Sequence, residues 1–294
     1  MVTFYRRLPN YDYVKPESIE EALTLMNDNQ ERKYKVYAGG TDVITKLKQR
    51  LINTPQVLID LKGIPGLDYI DYDEKNGLRI GALATIHSVA QSALVREKFT
   101  LLSQAAESIA SNQIQNRGTI AGNICNAVPS ADSAPALLTL GANLLCVSKN
   151  GERTIPIDKF FTGPNETALR PDELLKEIQV PDMPKNSNGV YIKLSPRRKM
   201  DLAVVGVAAI VSKVNGLFGD IRIGLGAVAP TPIRAKKAEE MLNGEKVADE
   251  LILKAAQVAS EESKPIDDHR ASARYRAMMV EVLVKRAIHQ ALSN

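Results

Sequence analysis

The run Val36-Tyr37-Ala38-Gly39-Gly40-Thr41-Asp42-Val43 constrains this chain more than any other stretch. Apolar residues over 35–38 read as a short strand, two glycines turn the chain, and Thr41 and Asp42 open a helical run over 43–50. Glycines let the backbone approach a ligand closely, and N–H groups at such a turn lack intrachain acceptors, which suits an anion. Asp42 in the first helical turn suits an ordinary cap equally well. A second glycine turn, Asn116-Arg117-Gly118-Thr119-Ile120-Ala121-Gly122-Asn123-Ile124, gives the anion reading its force.

The elements around these turns order the chain. Ser18 is placed as the N-cap of an amphipathic helix over 19–27, with Glu20 and Glu21 in its first turn. With strands near 13–16, 35–38 and 56–60, this predicts a β-α-β-α-β lobe over residues 1–60. A second lobe over 61–181 starts with a hairpin, 69–72 and 78–82, around Asn76-Gly77. Helices over 85–93 and 101–111 follow, then the second glycine turn. Ser130-Ala131-Asp132-Ser133 caps a helix over 134–140; strands over 143–148 and 174–180 close the lobe, with Asn150-Gly151 as a second hairpin turn. The polar, breaker-rich segment 182–188 marks the main boundary. Beyond it, in 190–294, strands over 190–194, 203–214 and 218–228 predict a three-stranded antiparallel sheet, its last two strands joined by Asn215-Gly216. Helices follow, one opened by Thr231 and Pro232 and running to 242, then 248–262 and 272–293.

The 294 residues suffice for more than one core. A net charge of +4, with no basic stripe interleaved with aromatics, gives no sign of nucleic-acid binding. The densest basic run, Arg197-Arg198-Lys199, reads either as a solvated turn or as a group near a ligand. Cys125 and Cys146 are the only cysteines, too few for an iron–sulfur cluster or a cysteine-ligated zinc held by this chain alone, and they fit a reducing cytoplasm. Residues 1–10 carry Arg6 and Arg7 but no apolar core of a secretory signal, and no apolar run reaches the ~18 residues of a membrane span.

Gly224-Leu225-Gly226-Ala227-Val228-Ala229 matches a dinucleotide fingerprint by letters, yet Pro230 and Pro232 follow at once and no helix opens there. It reads as a small-residue stretch of a buried strand. His87, His269 and His289 lie in different predicted elements, and no nucleophile–base or paired-carboxylate constellation emerges. Two glycine turns with few acid–base candidates suit a protein that holds a cofactor and leaves the chemistry to it.

With both turns in hand, the sequence resembles the FAD-binding medium subunit of the molybdenum hydroxylases, the family of xanthine, carbon monoxide and nicotinate dehydrogenases. Ala38 to Asp42 and Arg117 to Ile124 carry the resemblance, with Pro129-Ser130-Ala131-Asp132 and Tyr191-Ile192-Lys193 followed by Arg198 and Asp201. Asp267-Asp268-His269-Arg270 and Tyr275-Arg276 complete it near the end. The resemblance implies an α+β protein: a two-lobed FAD domain of the vanillyl-alcohol-oxidase (PCMH) type, then a C-terminal domain of the carbon monoxide dehydrogenase flavoprotein type.

The resemblance also implies site roles. Val36, Tyr37, Ala38, Gly39, Gly40, Thr41, Asp42 and Val43 would wrap the FAD diphosphate; Thr119, Ile120, Ala121, Gly122 and Asn123 would form a second cradle. Asp132 would sit at the ribose or adenine side, and Leu175 or Ile178 on the adenine. Ile109, where some relatives carry an aromatic residue, and Ala110 would be further cofactor contacts. Lys193 would lie near the isoalloxazine, where it would stabilise negative charge; otherwise it is a surface strand lysine. The implied partners are a small subunit with 2Fe-2S clusters and a large molybdopterin-binding subunit, in a dimer of heterotrimers. No catalytic residue or metal ligand is expected on this chain. Two rival readings are a stand-alone flavin oxidase or reductase of the same fold and a non-catalytic nucleotide-binding scaffold.

Overall fold

The computed structural model describes residues 7–29, 33–197 and 200–293. The expectations resting on residues 1–6, on Arg198 and on Lys199 fall outside them.

The first lobe runs β1 (Asp12–Val14), α1 (Ile19–Asp28), β2 (Tyr34–Tyr37), α2 (Val43–Gln49) and β3 (Val57–Asp60). Its three strands are parallel in the order β1-β3-β2, as two β-α-β crossovers require. Ser18 caps α1 by accepting from Glu21 N–H at 3.0 Å. Ala22, Leu23 and Met26 of α1 bury against Val57 and Ile59. Asp42 departs from expectation: its backbone is already helical and its side chain makes no cap bond.

The second lobe comprises β4 (Ile70–Asp73), β5 (Gly77–Gly81), α3 (Ile86–Gln91), α4 (Ala93–Lys98), α5 (Thr100–Glu107), α6 (Asn112–Gln115), α7 (Ile120–Asn126) and α8 (Ser133–Leu140). Then come β6 (Asn143–Ser148), β7 (Gly151–Pro156), β8 (Phe161–Gly163), β9 (Glu166–Thr167) and β10 (Leu174–Val180). An antiparallel sheet, β4-β5-β10-β6-β7, carries the helices. The run expected as one helix over 85–93 breaks at Ser92, which ends α3 and caps α4 through Val95 N–H. The helix expected to reach 111 stops at Glu107; Ala110 takes φ +46°, and Gln115 Nε2 reaches the Glu107 and Ile109 carbonyls.

The C-terminal part holds β11 (Ser187–Leu194), β12 (Val205–Val214), β13 (Leu217–Gly226), β14 (Ile233–Arg234), α9 (Lys236–Leu242), α10 (Asp249–Glu262) and α11 (Ala273–Ser293). The three long antiparallel strands are present, and Asn215 and Gly216 both take positive φ at their turn. A fourth strand, β14, extends the sheet where a helix was expected from Thr231; Ile233 and Arg234 pair with Leu225 and Gly224, and α9 starts after them.

Both faces of this sheet are covered. Along β12, Val205, Val207, Ala209 and Val211 face α9–α11, whereas Ala208 and Ile210 join the core of the second lobe. Gly224 and Gly226 serve this packing and no nucleotide. A Cβ on Gly224 would lie 2.5 Å from the Pro135 carbonyl oxygen, and one on Gly226 2.6 Å from Pro135 Cγ, so α8 rests on bare strand.

Candidate functional site

A cavity of about 730 Å³ opens between the first and second lobes, within the range of small-molecule sites. The entire run Val36 to Val43 lines it, with Ile109, Thr119, Ala121, Gly122, Asn123 and Leu175. The two glycine segments thus share one cleft. They also touch: a Cβ on Gly39 would lie 2.0 Å from the Arg117 carbonyl oxygen and 2.7 Å from Gly118 Cα. Only glycine permits that crossing. Gly40 is favoured for two other reasons: its φ is +77°, and a Cβ there would lie 2.9 Å from the Tyr37 ring.

The two cradles are unequal. In the first, the N–H groups of Gly39, Gly40, Thr41, Asp42 and Val43 have no acceptor among the described residues. Consecutive unengaged N–H groups at a turn form an anion-binding concavity. In the second, Ile120 N–H goes to the Ala84 carbonyl at 3.4 Å, Gly122 N–H to Thr119 Oγ1 at 2.9 Å and Asn123 N–H to the Thr119 carbonyl at 3.0 Å. The Thr119 and Ala121 N–H groups have no acceptor among the described residues, and beside these two donors the cradle offers room. A Cβ on Gly122 would meet only Thr119 Oγ1 within 4 Å.

The first turn is braced from behind. Asp60, buried at the end of β3, accepts from Tyr13 Oη at 2.5 Å, Tyr37 Oη at 3.0 Å and Lys62 Nζ at 2.6 Å. Burial alone would raise its carboxyl, but the bonds from Lys62 and Tyr13 outweigh that and hold it below the usual carboxylate range. Lys62 Nζ also donates to the Ala38 carbonyl at 2.7 Å and lies 3.9 Å from the centre of the Tyr37 ring. In a planar trans peptide the C=O and N–H point oppositely, so turning the Ala38 carbonyl toward Lys62 turns the Gly39 N–H away from it.

Five of the expected contacts do not line the cavity: Ala110, Ile120, Asp132, Ile178 and Lys193. Ile120 is fully buried among the second-lobe helices. Ile178 lies three residues beyond Leu175, about 10 Å along the strand, where it pairs with Ile80 and Leu144 in mid-sheet. Asp132 and Lys193 bind each other instead. Lys193 Nζ donates to Asp132 Oδ2 at 2.8 Å and to the Ser108 carbonyl at 3.0 Å; Tyr191 Oη donates to Asp132 Oδ1 at 2.7 Å. Burial pushes the Asp132 carboxyl up, against the pull of the Lys193 ammonium. Both partners come from one face of β11, so the cluster joins the C-terminal sheet to the start of α8.

Several cavity residues carried no signal in the sequence. Glu173 lines the wall, gripped by Arg153 through two bonds of 2.5 and 2.7 Å. Tyr34 crosses the cleft to donate to the Pro171 carbonyl. Asn126, Asn165 and Lys46 also line it. Cys125 is a wall residue as well; burial pushes its thiol up to about 12, so it stays protonated near neutrality.

Residues 9–183 match the family described as the FAD binding domain in molybdopterin dehydrogenase, and residues 190–291 match the CO dehydrogenase flavoprotein C-terminal domain. The chain belongs to this family of FAD-binding dehydrogenase subunits. It is 34% identical to the carbon monoxide dehydrogenase medium chain of Hydrogenophaga pseudoflava, over 96% of this chain and 97% of that one. It is 33% identical to the glyceraldehyde dehydrogenase medium chain of Sulfolobus acidocaldarius, over 96% and 98%. The xanthine dehydrogenase FAD-binding subunit of Escherichia coli O157:H7 is 32% identical, over 96% of each. Among solved structures, carbon monoxide dehydrogenase from Hydrogenophaga pseudoflava superposes with a TM-score of 0.93 at 34% identity, covering 98% and 99% of the two chains. Quinoline 2-oxidoreductase from Pseudomonas putida 86 gives a TM-score of 0.90 at 27% identity, over 97% and 98%. This subunit is therefore an α+β oxidoreductase component with an FAD-binding domain. The cavity fits that cofactor: its volume suits a dinucleotide, and the first cradle's five unengaged N–H groups suit a diphosphate. Among the described residues no helix is long and apolar enough to cross a membrane, and no three metal-ligating side chains cluster.

Proposed function

We propose that this chain is the FAD-carrying electron-transfer subunit of a multi-subunit molybdenum hydroxylase. Its partners are a small subunit bearing 2Fe-2S clusters and a large subunit bearing the molybdenum cofactor, where the substrate is oxidised. The observation that carries the reading is the cavity shared by both glycine segments, in a chain whose full-length relatives are medium chains of such dehydrogenases. Bound FAD supplies a relay that takes electrons singly from clusters and passes them on to NAD(P), a quinone or oxygen.

This chain's own residues bind and orient. The backbone from Gly39 to Val43 holds the diphosphate, with Lys62 and Asp60 fixing the first peptide plane. Thr119, Ala121, Gly122 and Asn123 shape the opposite wall, and Leu175 packs against the adenine end. Residues 36–43 all line the cavity, which supports the diphosphate role that the resemblance implies for them. The units run to about residue 60, from there to 181, and from 190 onward; the separate parallel and antiparallel sheets of these segments support the division, while their apolar clusters interlock across it. Two free cysteines fit a cytoplasmic setting.

Co-purification of the tagged chain from its native host, followed by metal and flavin analysis, tests the reading. Molybdenum, iron and FAD travelling with the chain are expected. A lone chain reduced directly by an organic substrate would replace it with the oxidase reading, and a colourless chain that takes up no FAD with the scaffold reading.

A further inference from the structure

Backbone N–H groups are neutral donors, and a diphosphate carries negative charge that they do not cancel. The cavity wall holds Lys33, Lys35, Lys46 and Arg170 against Asp42 and Glu173. Glu173 is already committed to Arg153, and Arg170 lies 4.0 Å from Glu173. Lys33 and Lys35 are exposed, whereas Lys46 is half-buried.

Lys46 is held differently from the others. It stands on α2, three residues after Val43 and so on the same helical face. Its ammonium leaves the first lobe and donates to Asn126 Oδ1 at 2.6 Å, on the last turn of α7, and reaches Asn165 Oδ1 at 3.4 Å. Asn165 sits at φ +63° in the turn between β8 and β9, pinned by its own N–H to the Ala127 carbonyl at 2.8 Å. All three residues line the cavity. Among the described residues Lys46 has no carboxylate within 4 Å; its partners are neutral amides. An ammonium positioned by neutral groups keeps its charge available, and one bridging two lobes loses little conformational freedom when an anion arrives.

We propose that Lys46 supplies the positive charge that binds the dinucleotide's diphosphate, held ready across the cleft by Asn126 and Asn165. This rests on the FAD reading of the cavity. A structural strut would behave otherwise: its loss would weaken the folded protein and every ligand alike.

The test compares the full-length wild-type chain, stripped of flavin, with Lys46→Met and Lys46→Arg. FAD, ADP and riboflavin are titrated at low and high salt, alongside the melting temperature of each stripped protein. Loss of one charge-assisted bond predicts about tenfold weaker FAD and ADP binding by Lys46→Met, with riboflavin changed less than about twofold. Lys46→Arg keeps the charge and should stay within about threefold of wild type. Salt should weaken FAD binding less in Lys46→Met than in wild type. Unchanged FAD binding by Lys46→Met, or an equal loss for riboflavin, overturns the proposal. A wild-type chain that takes up no FAD overturns the cofactor reading with it, so the two failures are distinguishable.

Discussion

Replacing Gly39 by alanine tests whether the two lobes meet through bare backbone. The added Cβ would lie 2.0 Å from the Arg117 carbonyl oxygen, where ordinary contact begins near 3.4 Å. The segments must part by about 1.4 Å, and neither can rotate away, because both opposing groups are main chain. Overpacking of this kind costs up to about 3 kcal/mol. If the cleft opens to relieve the strain, binding must close it again, so FAD affinity should fall by up to about a hundredfold. Flavin fluorescence titration gives the affinity and urea denaturation the stability. Gly66→Ala is the control: its φ is +71° but nothing lies within 4 Å of the added Cβ. It should cost only backbone strain, about 1 kcal/mol, with FAD affinity unchanged. Wild-type affinity and stability in Gly39→Ala would refute the crossing.

Two further outcomes follow from buried charge. Asp132→Asn leaves the Lys193 ammonium buried without its counter-ion and should destabilise the chain by about 3 kcal/mol, and Asp132→Asn with Lys193→Met should recover part of that in a denaturation series. The Asp268 carboxyl is held below the usual carboxylate range, since bonds from Arg270 and Arg276 overcome its burial. A lowered folded-state value means that its contribution is fully present above the unfolded value near ~4 and is lost as pH falls further. Stability measured from pH ~5 to ~2.5 should therefore fall less steeply in Asp268→Asn than in wild type.

Local signals were legible where one residue type settles the local geometry. Ser18 as a cap, Asn215-Gly216 as a positive-φ turn and the strands at 143–148 and 174–180 all follow from short-range chemistry. The paired glycines were legible as close-approach points, but not what they approach: Gly39 faces peptide 117–118, and Gly122 faces open cleft. Nor could the sequence show that Ile120 in the second cradle gives its N–H to the Ala84 carbonyl, since that depends on a bridge between residues 85 and 119. Asp132 and Lys193 each suit a ligand contact when read alone, and only the sheet brings them together. Ile233 and Arg234 became strand because β13 offered an open edge, a long-range condition that propensity does not encode. Lys46, one cation among many in the sequence, is singled out only by the amides it reaches.

The doubly covered C-terminal sheet bears on how such a protein can be inherited. Severing the chain between β10 and β11, in residues 181–186, would leave β12 with Ala208 and Ile210 facing water, and α8 without the floor it rests on. Neither fragment would be free to pair with a foreign neighbour unless that neighbour reproduced the lost oily surface. A fusion that borrows one half must therefore bring the other, or a surface of the same shape and polarity, to keep these faces dry.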